Sequence, residues 1–104
     1  MSSLPKPFVR FQQEVPAVAA AYEALGQAVH AAGPLTEKTR SLVKLAVSIG
    51  ALREGAVHAH SRKALAAGAS PEEMRHVAYL ALPTIGFPGM MAALSWVNDV
   101  LDAR

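Results

Sequence analysis

The chain of 104 residues contains no cysteine. Disulfide bonds, thiolate nucleophiles and thiolate metal sites are therefore excluded, because each of them needs a sulfur that the chain cannot supply. Any chemistry that its own side chains carry must use imidazole, carboxylate, amine or hydroxyl groups.

Charged and aromatic residues are also scarce, at 17% and 6%, whereas hydrophobic residues make up 52%. A surface so poor in charge exposes apolar patches, and such patches usually mark subunit contacts. The length suits one modest core. We therefore expect a single domain, residues 1–104, that assembles into a homo-oligomer. The net charge of +2 comes from scattered basic residues, so nucleic acid is not an expected partner.

Long hydrophobic runs are absent as well. No uninterrupted run approaches the roughly 20 apolar residues that a membrane span needs, and no charged-then-apolar leader opens the chain. We expect no membrane partner and a soluble, cytoplasmic protein.

The apolar residues recur at helical spacing, and no segment alternates as a strand would. The predicted class is all-α, a bundle of about five helices. They cover residues 15–32, 36–50, 53–68, 70 to about 82, and 88–101. Pro5 and Pro7 favour an extended arm over residues 1–10. Proline and glycine in LPTIGFPG, residues 82–89, predict a break before the last helix.

The helix over residues 53–68 carries the best candidates for chemistry. Val57, His60 and Ala64 share one stripe, so His60 is expected to face the interior. Glu54 and His58 are an i, i+4 pair and can meet on the helix surface. A buried imidazole near a carboxylate can give and take a proton near neutral pH. A structural histidine within the core is the competing interpretation.

Metal binding is not favoured by the sequence. His58 and His60 diverge by roughly 200° around a helix and cannot chelate one ion together. Glu54 with His58 could form only a weak site unless another element contributed. We therefore expect neither a metal nor another cofactor. Arg53 either attracts an acidic substrate or neutralises Glu54.

Several segments together resemble the carboxymuconolactone decarboxylase family, which includes the alkylhydroperoxidase D-like proteins. TRSLVKLAV, residues 39–47, is similar to the segment ahead of the family's active helix. The residues that follow match the decarboxylase branch without gaps: Arg53, Glu54, Val57, His60, Ala64, Leu65 and Gly68, then Glu73, Val77, Gly86 and Pro88. The resemblance covers residues 35–100. It implies an all-α, alkylhydroperoxidase D-like bundle whose subunits interlock into dimers, trimers or hexamers.

The resemblance implies that His60 is the general acid or base, that Glu54 supports it, and that Arg53 lies near the substrate carboxylate. The cysteine pair of the peroxidase branch falls on Arg53 and Ala56, and the glutamate of its proton relay falls on Ser41. Thiol peroxidase activity is therefore not expected.

The broken segment before the last helix is a second candidate region, since loop backbone beside a core often contacts ligands. We predict that Arg53, His58, Thr84 and Gly86 bind substrate. The decarboxylase branch has polar residues where this chain has Leu80 and Pro83, which implies a different or less polar ligand. Two functions stay open: proton-transfer or decarboxylation chemistry on a small carboxylate or lactone, and a non-catalytic helical oligomer that binds a small ligand or none.

Overall fold

The computed structural model describes residues 4–104, and these residues form helices joined by short turns, without a strand. The all-α prediction is confirmed. The helices are α1 (Lys6–Glu14), α2 (Pro16–His30), α3 (Glu37–Gly50), α4 (Glu54–Ala66), α5 (Pro71–Leu80), α6 (Leu82–Ile85) and α7 (Phe87–Ala103). Contacts divide the chain into two units, Met1–Pro34 and Leu35–Arg104. Among the described helices, none is both long and apolar enough to cross a membrane.

The first unit contains α1 and α2. Residues 6–10, which the sequence analysis places in an extended arm, are helical and begin α1. That expectation is wrong because Pro5 is the N-cap and Pro7 lies in the first turn, where a missing N–H is not needed for helical hydrogen bonds. Residues 1–3 of the predicted arm lie outside the described part of the chain.

The apolar stripe of α2 is exposed along its whole length. Val18, Tyr22, Leu25 and Val29 retain 55%, 60%, 61% and 62% of their accessible surface. Their spacing of three and four places them on one face of the helix. No residue of α2 is buried. This stripe, Val18–Tyr22–Leu25–Val29, is called the α2 stripe below.

The second unit has a continuous core built from α3, α4, α5 and α7. Each helix contributes fully buried side chains at helical spacing, among them Leu45, Ile49, Val57, Ala64, Met74, Ala78, Ala93 and Val97. Thr36 caps α3, because its hydroxyl accepts a hydrogen bond from the Thr39 N–H at 3.3 Å. The core fixes α4 against both α3 and α7.

The start of α5 is stabilised by hydrogen bonds of its own residues and by an ion pair with α3. The Ser70 hydroxyl accepts from the Glu73 N–H at 3.1 Å, and the Glu73 carboxylate accepts from the Ser70 N–H at 2.8 Å. This is the predicted capping box. Lys38 on α3 pairs with the other Glu73 oxygen at 2.9 Å. The Ser70 N–H, and then Lys38, hold the pKa of Glu73 below its ordinary value.

The break predicted over residues 82–89 is confined to Gly86, because residues 82–85 form α6 and α7 begins at Phe87. Pro83 lies in the single turn of α6, Pro88 lies in the first turn of α7, and Gly86 separates the two helices. Gly86 has φ +87°, which a residue with a Cβ adopts only with strain. Gly86 therefore ends α6 and lets α7 begin at the next residue.

Candidate functional site

The α4 helix positions the histidines predicted to be functional. Its buried residues are Val57, Ser61 and Ala64. With about 100° between successive residues, His58 and His60 fall on opposite flanks of this buried face. Both imidazoles are half-buried. His60 is therefore neither sealed in the core nor fully exposed.

On one flank of α4, three side chains come together. His58 Nε2 lies 2.9 Å from Asp99 Oδ2 of α7. One ligand-capable atom each from Glu54, His58 and Asp99 lies within 4.8 Å of the other two. The expected approach of Glu54 to His58 is present, because residues at i and i+4 are neighbours on a helix surface. We call these three residues the α4–α7 cluster.

Asp99 is the member of the α4–α7 cluster that sequence reasoning missed. It is separated from His58 by 41 residues, and only the packing of α4 against α7 brings the two together. Its position on α7 relative to the buried Val97 could have suggested an exposed carboxylate, but nothing in the sequence selects its partner.

The opposite flank of α4 is basic. Lys63 follows His60 by three residues, so the two positions are neighbours on the helix surface. Burial, and then the positive charge of Lys63, lower the pKa of Lys44 on α3. Lys44 and Lys63 are therefore close enough to interact, and Lys63, one helical turn from His60, gives this flank of α4 a positive charge that can attract an anion.

Ser61 is an unexpected buried polar residue. Its side chain is fully buried, and its Oγ has no hydrogen-bond partner among the described residues. The hydroxyls of Ser41, Ser48 and Ser95 instead donate to the carbonyl three residues earlier, at 2.7, 2.7 and 2.6 Å. An unsatisfied buried hydroxyl costs about 1–3 kcal/mol. Ser61 is therefore a local weakness in an otherwise apolar face.

Apart from His58, the residues predicted to bind substrate lie at the start of α4 or at the α6–α7 junction. Arg53 is the exposed N-cap of α4, and Thr84 and Gly86 are exposed at the α6–α7 junction. Leu52, next to Arg53, approaches Gly89 of α7, since a Cβ on Gly89 would lie 3.6 Å from Leu52 Cδ1. The start of α4 thus adjoins the start of α7.

Glu54 is the first residue of α4, but Asp99 of the same cluster lies well inside α7. Asp99 follows Gly86 by thirteen residues, about 20 Å along a helix that rises 1.5 Å per residue. The structure therefore groups Glu54 and His58 with Asp99, and separates Thr84 and Gly86 from that cluster.

Comparison with known proteins supports the resemblance seen in the sequence. No curated protein and no solved structure gives a significant match. Residues 16–99, however, match the sequence model described as the carboxymuconolactone decarboxylase family. This match includes α2 and α3–α6 completely and most of α7, so it covers residues of both units. The chain belongs to the carboxymuconolactone decarboxylase family.

Proposed function

We propose that the protein is a small oligomeric enzyme that decarboxylates, or transfers a proton to, a small carboxylate or lactone. His60 is the general acid or base. The observation that carries this proposal is the half-buried His60 imidazole on the basic flank of α4. A half-buried ring can reach a ligand and still be held in a fixed orientation by its helix.

Decarboxylation requires two things of the protein, substrate binding and proton donation. The substrate carboxylate must be bound, and after the C–C bond breaks and CO2 leaves, the electron pair left on carbon must accept a proton. Lys63, one helical turn from His60, and Lys44, which interacts with Lys63, supply positive charge for the first task. Protonated imidazole performs the second as a general acid.

The other predicted residues have narrower roles in this proposal. Arg53, exposed at the start of α4, would attract the anion together with the N-terminal dipole of the helix. Glu54 is six residues from His60, about 120° around the helix, and its closest grouping is with His58 and Asp99. Proton transfer is therefore assigned to His60, with Glu54 acting only through the charge that it adds to the helix.

The oligomer is part of the same proposal. The α2 stripe leaves four large apolar side chains more than half exposed, and burying them against another copy would be favourable. We propose a trimer or hexamer of interlocked subunits, which light scattering coupled to size exclusion would distinguish from a monomer by mass. The cytoplasmic location expected from the sequence stays a prediction that cell fractionation would test.

The competing function is a non-catalytic scaffold that binds a small apolar ligand. The exposed apolar surface of α2 favours it. A turnover assay separates the two: the wild-type protein is incubated with carboxymuconolactone and with related small lactone carboxylates, and released CO2 is measured. Catalysis predicts repeated turnover per chain, with no cofactor added. Ligand binding without CO2 release or proton exchange for every compound would favour the scaffold.

A further inference from the structure

The α4–α7 cluster combines one imidazole with two carboxylates at the contact between two helices. We propose that Glu54, His58 and Asp99 form a binding site for one divalent first-row transition-metal ion, such as Zn²⁺. The site does not include His60, to which proton transfer is assigned.

The geometry requires little movement to hold an ion. Zn²⁺ lies about 2.0–2.2 Å from imidazole nitrogen and carboxylate oxygen, so its ligand atoms are about 3.4 Å apart in a tetrahedral site. His58 Nε2 and Asp99 Oδ2 are already 2.9 Å apart, and all three candidate ligand atoms fall within 4.8 Å. Because Glu54 and Asp99 are exposed, rotation of their side chains can close the remaining gap.

The backbone that carries the ligands is well supported. Val57 on α4 and Val97 on α7 are fully buried, one and two residues from His58 and Asp99 respectively. Both belong to the core cluster of the second unit. The core therefore sets the separation of the two helices before any ion binds, which lowers the cost of assembling the ligands.

The charge of the cluster favours a divalent cation. Two carboxylates and a neutral imidazole carry a charge of −2, and protonation of His58 reduces this only to −1. A divalent ion neutralises both carboxylates at once. The imidazole donor favours transition metals over Mg²⁺ and Ca²⁺, whereas the lack of any thiolate disfavours Cu(I). Three protein ligands would leave a coordination position open on the exposed side.

The test uses the full chain without an affinity tag, stripped of metal by a chelator. Calorimetric titration with Zn²⁺ gives the affinity and stoichiometry, and Co²⁺ reports the coordination through its visible absorption. We expect saturable binding of one ion per chain. Asp99→Asn and His58→Gln should each weaken binding by about tenfold or more, since loss even of an outer partner of a metal ligand costs about 10–100-fold.

His76→Gln is the matched control, because His76 is an exposed histidine on α5 outside the cluster. It should bind Zn²⁺ as the wild type does. Glu54→Gln changes an exposed first-turn residue of α4 and should also weaken binding, because it removes one of the three ligands. Circular dichroism checks that each variant is folded. Absence of saturable binding, equal binding by wild type and Asp99→Asn, or an equal loss in His76→Gln would overturn the proposal.

Discussion

Replacing Leu25 by glutamate tests whether the α2 stripe is a subunit contact. Leu25 exposes 61% of its surface in the single chain. Full burial of a leucine side chain is worth about 1.5–3 kcal/mol, so covering the exposed part contributes about 1–2 kcal/mol per copy. Leu25→Glu removes this gain and places an unpaired carboxylate in an apolar contact, which costs further free energy. Since each 1.4 kcal/mol is about tenfold in association, we expect subunit affinity to fall by about tenfold or more.

The assay is the solution mass of wild type and variant over a range of protein concentrations. Gln27→Glu is the matched control, because Gln27 is exposed on α2 and lies about 180° from Val18 around the helix axis. We expect an oligomeric wild type, an oligomeric Gln27→Glu and a Leu25→Glu protein that dissociates to a helical monomer on dilution. A Leu25→Glu protein with the same mass as the wild type at every concentration would show that the α2 stripe is not a subunit contact.

Four further predictions concern stability, measured by denaturant unfolding. Ser70→Ala removes the N-cap of α5 and should lower the free energy of unfolding by about 1 kcal/mol. The pKa of Glu73 is held below its ordinary value of 4.5, so its ionisation stabilises the fold above that pH and the gain is lost as pH falls through the lowered pKa. Glu73→Gln, which also ends the pairing with Lys38, should therefore make the free energy of unfolding fall less steeply as the pH is lowered in the acidic range. An unchanged dependence on pH would contradict this. Ser61→Ala should leave stability unchanged or raise it by up to about 3 kcal/mol, because it deletes an unsatisfied buried hydroxyl. Met74→Ala should cost about 2–5 kcal/mol, because Met74 is fully buried.

Helix positions followed from the sequence where local chemistry determines them. The Ser70 capping box and the glycine at position 68, which has φ +94°, involve neighbours in the chain, so spacing alone identifies them. The break at Gly86 follows from proline and glycine in the same way. The arm at residues 6–10 was mispredicted because proline near a helix start is compatible with both an arm and a helix.

Which side chains come together was harder to predict from the sequence than where the helices lie. Periodicity placed Glu54 beside His58, but Asp99 joins them only through the packing of α4 against α7. Periodicity also placed His60 in the interior stripe, whereas Ser61 is the polar residue that is fully buried there. A shift of one residue on a helix turns a side chain by about 100°, and an alanine-rich helix has too few large residues to fix which face is buried.

Helical spacing likewise does not determine what covers the α2 stripe. The sequence identifies Val18, Tyr22, Leu25 and Val29 as one apolar face, but the spacing does not say whether the chain itself or another copy covers it. Within its own unit α2 has no buried residue, which is the reason for proposing that a second copy covers the face.

In the proposed reaction the His60 imidazole moves a proton during turnover. The decisive measurement is kcat of His60→Gln relative to wild type, on the small carboxylate or lactone that the wild type turns over fastest. We expect kcat to fall by about 10²–10⁴-fold, the usual contribution of a general acid or base, and kcat of His76→Gln to stay unchanged. Equal kcat for wild type and His60→Gln would contradict it.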